Sequence, residues 1–591
     1  MKTILGVNAV FHDSSAALLV DGRLQSLAEE ERYCRVRHGK RASVDNTAVL
    51  PYAAIDETLR SAGLDFSRVD EVAYSFDPEA RLAALGRLPA DPGIPAGDYG
   101  SPEGERRFHD LVLLTPGLLK ARYGREVPVR FIPHHDCHMA ASYYSCPWDE
   151  AALLTIDGIG ENDTVTWARC GRGGLERLGR LEYPHSLGFL WERVTQWAGL
   201  TANLDEGTTM ALAAYGEPAR FRAALRRVLE PLADGTFRAD PVLARFRALD
   251  VRGLEELLGP RRLPREPMLW QGEDRRHADA AAALQELTEE ALCGLARRVR
   301  RDSGLPRLAL AGGVALNCLA NAAVARSGAF EELWAFPAAT DCGTAFGAAC
   351  VGSRLAGAEP VRQEWTHAFR APGERPEGVG AALAEARLQA PARPERELLA
   401  EAAELLARGK VLAWYEGAGE VGPRALCHRS LLADPRQASM REHLNLRVKH
   451  RQAFRPYGPV VREEDAAEFF DIPPGLRGPC RFMLAAVPVK AAARRRIAAV
   501  LHEDGTTRPQ LVARQDHPRL HALLGEFGRR TGVPVLVNTS FNDREPIVGT
   551  PAHALATFLR AEIDALVLED RLLLKEPSAA PSATRSGQAL G

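Results

Sequence analysis

FIPHHDCHMAASYY places His134 and His138 four residues apart, just after Pro133, a residue suited to the first turn of a helix. On a helix that spacing puts both imidazoles on one face, as two ligands of a single metal ion require. The motif lacks the glutamate of H-E-x-x-H enzymes, which disfavours proteolysis. Asp157 in LLTIDGIGE and Asp341 in AATDCGTAFG stand at expected strand ends and could complete an N,N,O,O set. Such a set suits iron, zinc or manganese and does not choose among them. His135 competes with His134 for the ligand role, and the same spacing would arise from two histidines that merely cap or line a helix.

A second chemistry is written in GPRALCHRSLLADPR (422–436) and VKHRQAFRPYGPVV (448–461). Arg424, Arg429, Lys449, Arg451 and Arg455 fall in loop-like sequence among small and apolar neighbours, with few acidic residues interspersed. Arginine has the fork that grips phosphate oxygens two at a time. The competing reading is ion pairing with Glu420, Asp434 and Glu442. Downstream, Arg508 in DGTTRPQ and the polar end of VLVNTSFN, with Asn538, Thr539, Ser540 and Asn542, offer further hydrogen-bonding groups.

These residues need a scaffold. ILGVNA (4–9) and AALLV (16–20) read as strands joined by the turn FHDSS, and AALLTID (151–157) as a third buried strand. RLALAGGVAL (307–316) reads as a strand entering a glycine pair and a helix-compatible segment, and 278–300 as a long amphipathic helix. Strands that end in Gly or Asp turns, interleaved with helices, make the chain α/β. The loops GVNAVFHDSSAAL, TIDGIGE and LAGGVALN look like the phosphate and adenosine loops of the actin/hexokinase/Hsp70-like (ASKHA) superfamily. No internal repeat is visible. Pro, Gly and charge concentrate over 358–397, marking a linker between a domain at 1–357 and a second at 398–575, which opens with a helix (398–408) and a strand (411–417). Residues 576–591 have almost no bulky apolar side chains and read as a disordered tail.

With 591 residues the chain is too long for one core. A formal net charge of −2 supplies no global field for nucleic acid or an anionic membrane. No apolar stretch approaches the roughly 20 residues that span a bilayer, and His12 and Asp13 interrupt any signal-like run at the N-terminus. The ten cysteines form no C-x-x-C pair, so neither a disulfide framework nor a structural zinc site is expected, and the expected location is the cytoplasm.

GVNAVFHDSSAALLVDG, EERYCRVRHGK, HHDCHMAASYY, TIDGIGE, HSLGFLWE, DEGTTMALAAYGEP, GGVALNCLAN, GPRALCHRS, VKHRQAFRP, DGTTRPQ and NTSFN resemble, in order, the blocks of the NodU/CmcH carbamoyltransferases, over roughly residues 3–575. The resemblance implies an ASKHA-fold N-terminal domain holding a metal and a YrdC-like C-terminal domain. It implies that carbamoyl phosphate and ATP, with Mg²⁺, give carbamoyl adenylate, from which a hydroxyl of a small molecule takes the carbamoyl group. His134, His138, Asp157 and Asp341 would then hold iron or a similar divalent ion, and Gly312, Gly313 and Asn317 would contact the adenylate. Arg424, Arg429, Lys449, Arg451, Arg455, Arg508, Asn538 and Ser540 would bind carbamoyl phosphate and ATP, with Arg424 and Lys449 acting in the chemistry. His12 with Asp13 is the candidate for activating the acceptor hydroxyl, and His38 the second candidate; alternatively, His12 stabilises its turn. The acceptor is expected to meet the motif-poor stretches 76–120 and 218–275, and the protein to act as a monomer or homodimer.

The sequence departs from the family at Thr208, where many members have Lys, at Gln452, where Glu is usual, and in FNDREPIV, which lacks the common Gly before EPIV. Two other readings are an enzyme of tRNA threonylcarbamoyladenosine synthesis or hydrogenase maturation, and a non-catalytic ATPase-fold binding module. Missing C-x-x-C zinc motifs and near-neutral charge oppose the first, and the full set of four metal-ligand candidates opposes the second.

Overall fold

TILGVN and SAALLV are apolar runs bounded by turn residues, and they pair as β1 (Thr3–Asn8) and β2 (Ser15–Val20), with β3 (Arg23–Glu29) completing an antiparallel meander. In the computed structural model, which describes residues 2–87, 93–171, 173–248, 250–373 and 376–575, β1 also pairs in parallel with β4 (Glu71–Tyr74). β4 pairs in parallel with β5 (Val129–Phe131), so the sheet runs β3-β2-β1-β4-β5. β1, β2 and β4 are almost wholly buried, as near-continuous apolar strands covered on both faces should be.

The second sheet repeats this plan. β6 (Ala151–Ile156), β7 (Asp163–Gly171) and β8 (Gly174–Glu182) form the meander, and β6 pairs in parallel with β9 (Arg307–Ala311), which pairs in parallel with β10 (Glu332–Ala335). Its order, β10-β9-β6-β7-β8, matches the first sheet strand for strand. The sequence reading of no internal repeat is therefore corrected at the level of topology. Strand pairing is made by backbone groups, so two sheets can share a plan while their side chains share nothing.

The helix Thr344–Leu355 packs on β1 and crosses the helix His134–Ser145. A Cβ at Gly347 would lie 1.7 Å from the carbonyl oxygen of Cys137, so only glycine permits that crossing. The crossing fixes the helix that carries His134 and His138 against the segment that carries Asp341.

The C-terminal part is a mixed seven-stranded sheet. Its strands are β11 (Leu412–Tyr415), β12 (Arg429–Ala433), β13 (Gly458–Arg462), β14 (Gln510–Val512), β15 (Val535–Ser540), β16 (Ala565–Leu568) and β17 (Arg571–Leu574). The order is β14-β13-β15-β12-β11-β16-β17. The expected helix and strand appear as Glu395–Ala407 and β11. Arg429, read from sequence as a loop residue, opens β12, and Asn538 to Ser540 lie inside β15, paired with β12.

Residues 358–373 lie packed along the N-terminal half. Val361 donates its N–H to the carbonyl of Gly22, Trp365 does the same to Ser145, and the Trp365 side chain is fully buried. The helix Pro376–Glu385 follows. The two halves are also bolted directly: Glu29 and Arg32, buried and ion-paired at 2.6 Å, bond the N–H and carbonyl of Gly422. The expected tail at 576–591 lies outside the described residues. Among the described residues, no helix is long and apolar enough to cross a membrane.

Candidate functional site

His134 and His138 occupy the first two turns of their helix, Asp157 follows β6, and Asp341 precedes the helix Thr344–Leu355. One ligand atom from each of the four lies within 4.8 Å of the others, and all four residues are buried. The Nε2 atoms of His134 and His138 are 3.2 Å apart, and Asp341 Oδ1 is 3.3 and 3.5 Å from them. Asp157 Oδ2 is 3.6 Å from both. Donors about 2.1 Å from one tetrahedral ion are separated by about 3.4 Å, so this quartet has the spacing of a coordination sphere. His134 Nδ1 donates to the carbonyl of Ser75 at 2.9 Å, which leaves Nε2 as the lone pair facing the group. His135 points elsewhere, its Nδ1 2.7 Å from Thr166 Oγ1, and His134 rather than His135 is among the four converging groups. Burial pushes the Asp157 carboxyl up, but His134 and His138 beside it hold it well below the usual range.

Gly313 donates its N–H to Asp157 Oδ1 at 3.0 Å. Gly312 sits at φ 86, and a Cβ there would meet Ile156 O at 2.2 Å, so the turn after β9 requires glycine. Asn317 caps the helix Cys318–Arg326 and bonds Gln285 at 2.9 Å. Gly313 and Asn317 border the cavity described next.

A single cavity of about 1010 Å³ runs from the quartet to the C-terminal half. Arg424, Arg451, Arg455 and Arg508 line its far side, with Asn538 and Ser540 beneath them. Among the described residues none of these arginines has a carboxylate partner; Asp434 pairs with Arg436 instead, and Glu420 accepts N–H groups of Leu426 and Arg429. The ion-pairing reading thus finds no support. Burial, with neighbouring guanidinium groups, depresses Arg424 and Arg455 to about 9, and the Nε atoms of Arg424 and Arg508 are buried without a hydrogen-bond partner. Half-buried cations that lack a carboxylate partner around a cavity favour an anion there. Arg451 is oriented by Asn445 Oδ1 at 2.8 Å and by the Tyr457 ring. Arg455 donates to Thr208 Oγ1.

Two expected anion ligands are placed differently. Lys449 borders the cavity, but its ammonium bonds Ser540 O and Asn542 O, each at 2.7 Å, and both of those side chains. Its donors are spent holding the end of β15. Arg429 is away from the cavity lining: it donates to the carbonyls of Glu416, Gly417 and His428 and lies 3.6 Å from the Tyr415 ring centroid.

On the near side, Asp13 stands between two histidines. Its Oδ1 bonds His38 Nδ1, and its Oδ2 lies 3.3 Å from His12 Nδ1. Phe11, Asp13 and His38 adopt positive φ, a strain of about 1–3 kcal/mol per residue that clusters at functional sites. Asn8 holds the turn, donating to the carbonyls of His12 and Asp13 and accepting from Ser75 Oγ, whose carbonyl orients His134. Burial pulls the His12 pKa down, but Asp13, helped by Asp341 and Asp157, raises it to about 10. His38 is raised too, Asp13 again outweighing burial.

Arg193, one residue beyond the HSLGFLWE block, has no role assigned from sequence. Arg193 is 5% exposed, borders the cavity, and has Nε and Nη1 without partners. One residue before it, Glu192 also borders the cavity and supplies its only ion pair among the described residues, at 3.2 Å. The stretches 76–120 and 218–275 both reach the cavity, through Asp98 and Tyr99 and through Phe246 and Arg247.

The profile described as Carbamoyltransferase N-terminus matches residues 3–350, and that described as Carbamoyltransferase C-terminus matches 403–575. An uncharacterized protein of Synechocystis is 34% identical, with 97% of each chain covered. Nodulation protein NolNO of Sinorhizobium fredii is 34% identical over 97% of this chain and 80% of its own. Component A of (R)-2-hydroxyglutaryl-CoA dehydratase from Acidaminococcus fermentans aligns over 59% of this chain and 96% of its own, at 13% identity and a TM-score of 0.32. The chain belongs to the carbamoyltransferase family, with the histidine–aspartate quartet in its N-terminal region and the arginine group in its C-terminal region.

Proposed function

We propose that the protein transfers a carbamoyl group to a hydroxyl of a small molecule in two steps, through carbamoyl adenylate. The observation that carries this reading is the one cavity bordered both by arginines that lack a carboxylate partner among the described residues and by Asp157 and Asp341 of the quartet. In this reading residues 1–357 form an ASKHA-type domain, which the duplicated five-stranded plan supports, and residues 398–575 form a YrdC-like domain.

In the first step Arg424, Arg451, Arg455 and Arg508 hold carbamoyl phosphate and the ATP phosphates. Water cleaves carbamoyl phosphate to carbamate and phosphate. A carbamate oxygen then attacks the α-phosphorus of Mg²⁺-bound ATP, and pyrophosphate leaves. Guanidinium groups already gathered around the cavity stabilise the developing charge. Asn538, whose Nδ2 is held by Ala425 O and Gln510, leaves its Oδ1 as a free acceptor for the carbamoyl amide. Lys449 positions Ser540 and is not itself a phosphate ligand.

In the second step the adenylate crosses the cavity to the quartet side. Two imidazoles and two carboxylates fit a borderline divalent ion such as iron, zinc or manganese, which when bound would act as a Lewis acid toward the adenylate. His38, its Nδ1 engaged by Asp13, presents Nε2 as the base that takes the acceptor hydroxyl proton. The hydroxyl oxygen attacks the carbamoyl carbon and AMP leaves. His12, held as a cation by Asp13, offsets negative charge on the carbonyl oxygen. Thr208, in place of the more common lysine, gives Arg455 a neutral acceptor and keeps a further positive charge out of the arginine group.

Incubation with ATP, Mg²⁺ and carbamoyl phosphate should release pyrophosphate and AMP-linked carbamoyl product. Absence of pyrophosphate under every metal condition would overturn the reading. A screen of hydroxylated metabolites for a mass gain of one carbamoyl group identifies the acceptor.

A further inference from the structure

A second set of metal-ligating side chains lies in the C-terminal half, outside the cavity lining. Glu416 follows β11, His428 precedes β12, and His517 precedes the helix Pro518–Thr531. One ligand atom from each lies within 4.8 Å of the other two.

The outer atom of each group is already tied down. His428 Nδ1 is 2.5 Å from the carbonyl oxygen of Ala418, and because a carbonyl only accepts, that nitrogen carries the proton. His517 Nε2 is 3.4 Å from the carbonyl of Cys427 and is protonated for the same reason. The lone pairs of the two neutral rings are therefore on His428 Nε2 and His517 Nδ1. Glu416 Oε2 accepts the indole N–H of Trp414 at 2.9 Å, leaving Oε1. Among the described residues the three groups make no hydrogen bond to one another and Glu416 has no ion pair. Arg519 lies over the Trp414 ring and donates to Glu569 O instead.

A metal-bound histidine usually donates its other ring N–H to a carbonyl or carboxylate, which fixes the tautomer and the ring direction. Both histidines meet that condition here. Phe369 stacks on His428 with ring centroids 3.5 Å apart and planes at 4°, which covers a face and leaves the coordinating edge open. The His428 and His517 rings stand at 81°, with centroids 4.5 Å apart.

We propose that Glu416, His428 and His517 form a second metal site for a borderline divalent cation of the zinc type. Two imidazole nitrogens select against magnesium and calcium, and three ligands leave one tetrahedral position for water. The ion would clamp β11, the turn before β12 and the start of a helix, four residues from Arg424 of the phosphate site.

The test is zinc stoichiometry by elemental analysis on the full chain, stripped with a chelator, reloaded with Zn²⁺ and freed of loose metal. Wild type should hold two equivalents, and the His134→Ala/His138→Ala variant one. Adding His428→Asn and His517→Asn should bring it to none. A folded His134→Ala/His138→Ala protein that holds no zinc overturns the proposal. Should that variant fail to fold, Glu416→Gln/His428→Asn in the wild-type background decides the matter. Loss of one equivalent from two, with loss of part of the visible absorption of the Co²⁺-loaded protein, supports the site; a wild type holding one equivalent, unchanged by the substitution, overturns it.

Discussion

The quartet and the arginine group face each other across one cavity and have opposite electrostatic problems. In the quartet, two carboxylates and two imidazoles converge within 4.8 Å, so negative charge is concentrated and a cation is wanted. In the arginine group, four guanidinium groups converge with no carboxylate among the described residues, so an anion is wanted. In the quartet, histidine and aspartate offset one another in the absence of a metal, whereas the arginine group has no such internal compensation. That contrast is the basis for the proposed assignment of the first half-reaction to one side and the second to the other.

The sharpest way to break the contrast is to delete the arginines. Arg424→Ala and Arg508→Ala should each lower pyrophosphate release by about 10²–10³-fold, the loss typical of a fixed donor to developing charge. The same variants should melt at the wild-type temperature or above, because each removes a half-buried cation that has no carboxylate partner among the described residues. A fall in melting temperature that matched the loss of activity would make these residues structural.

On the other side, His138→Ala should abolish carbamoyl transfer and metal retention at the quartet yet leave pyrophosphate release within a few-fold of wild type. Loss of both steps would count against separate sites. Next in size, His38→Gln should slow transfer by about 10²–10⁴-fold without touching the first step. The transfer rate should fall with acid, because a base must be neutral. Since Asp13 raises the His38 pKa, that fall should begin above the ordinary histidine value of 6.5. Pyrophosphate release should lack this limb.

The smallest effect on catalysis is expected at Arg429, which sequence grouped with the phosphate ligands. Arg429→Met removes three hydrogen bonds to carbonyls and a stack on Tyr415. It should cost on the order of 3 kcal/mol of stability, measured by denaturant unfolding. The Michaelis constant for carbamoyl phosphate should hardly change, whereas a large rise would return Arg429 to the anion site.

Much of the local structure was legible. The β1–β2 hairpin follows from apolar runs around FHDSS, and the helix carrying His134 and His138 from Pro133 and the spacing that follows. The quartet was named in full because its residues sit at strand and helix ends, where motif and position coincide. Arg429 and Lys449, grouped with the anion ligands on sequence, both turn their donors to backbone carbonyls. A basic residue in a motif looks the same whether its donors face a ligand or backbone carbonyls, and only side-chain direction separates the two. Arg193 went unassigned because its significance lies in two unpartnered nitrogens, which no sequence pattern records.

By itself the sequence determined residue types and their order: which side chains can ligate, which can grip phosphate, and where apolar periodicity forces strand or helix. The tertiary structure alone decided that the first five-stranded plan recurs in the second sheet, because backbone pairing leaves no trace in side-chain identity. It alone decided that Asp13 serves His38 as well as His12, since that pairing depends on a turn 25 residues away folding back. It also decided that quartet and arginines share a cavity, because charge acts through space at distances of ångströms, and chain separation says nothing about that distance.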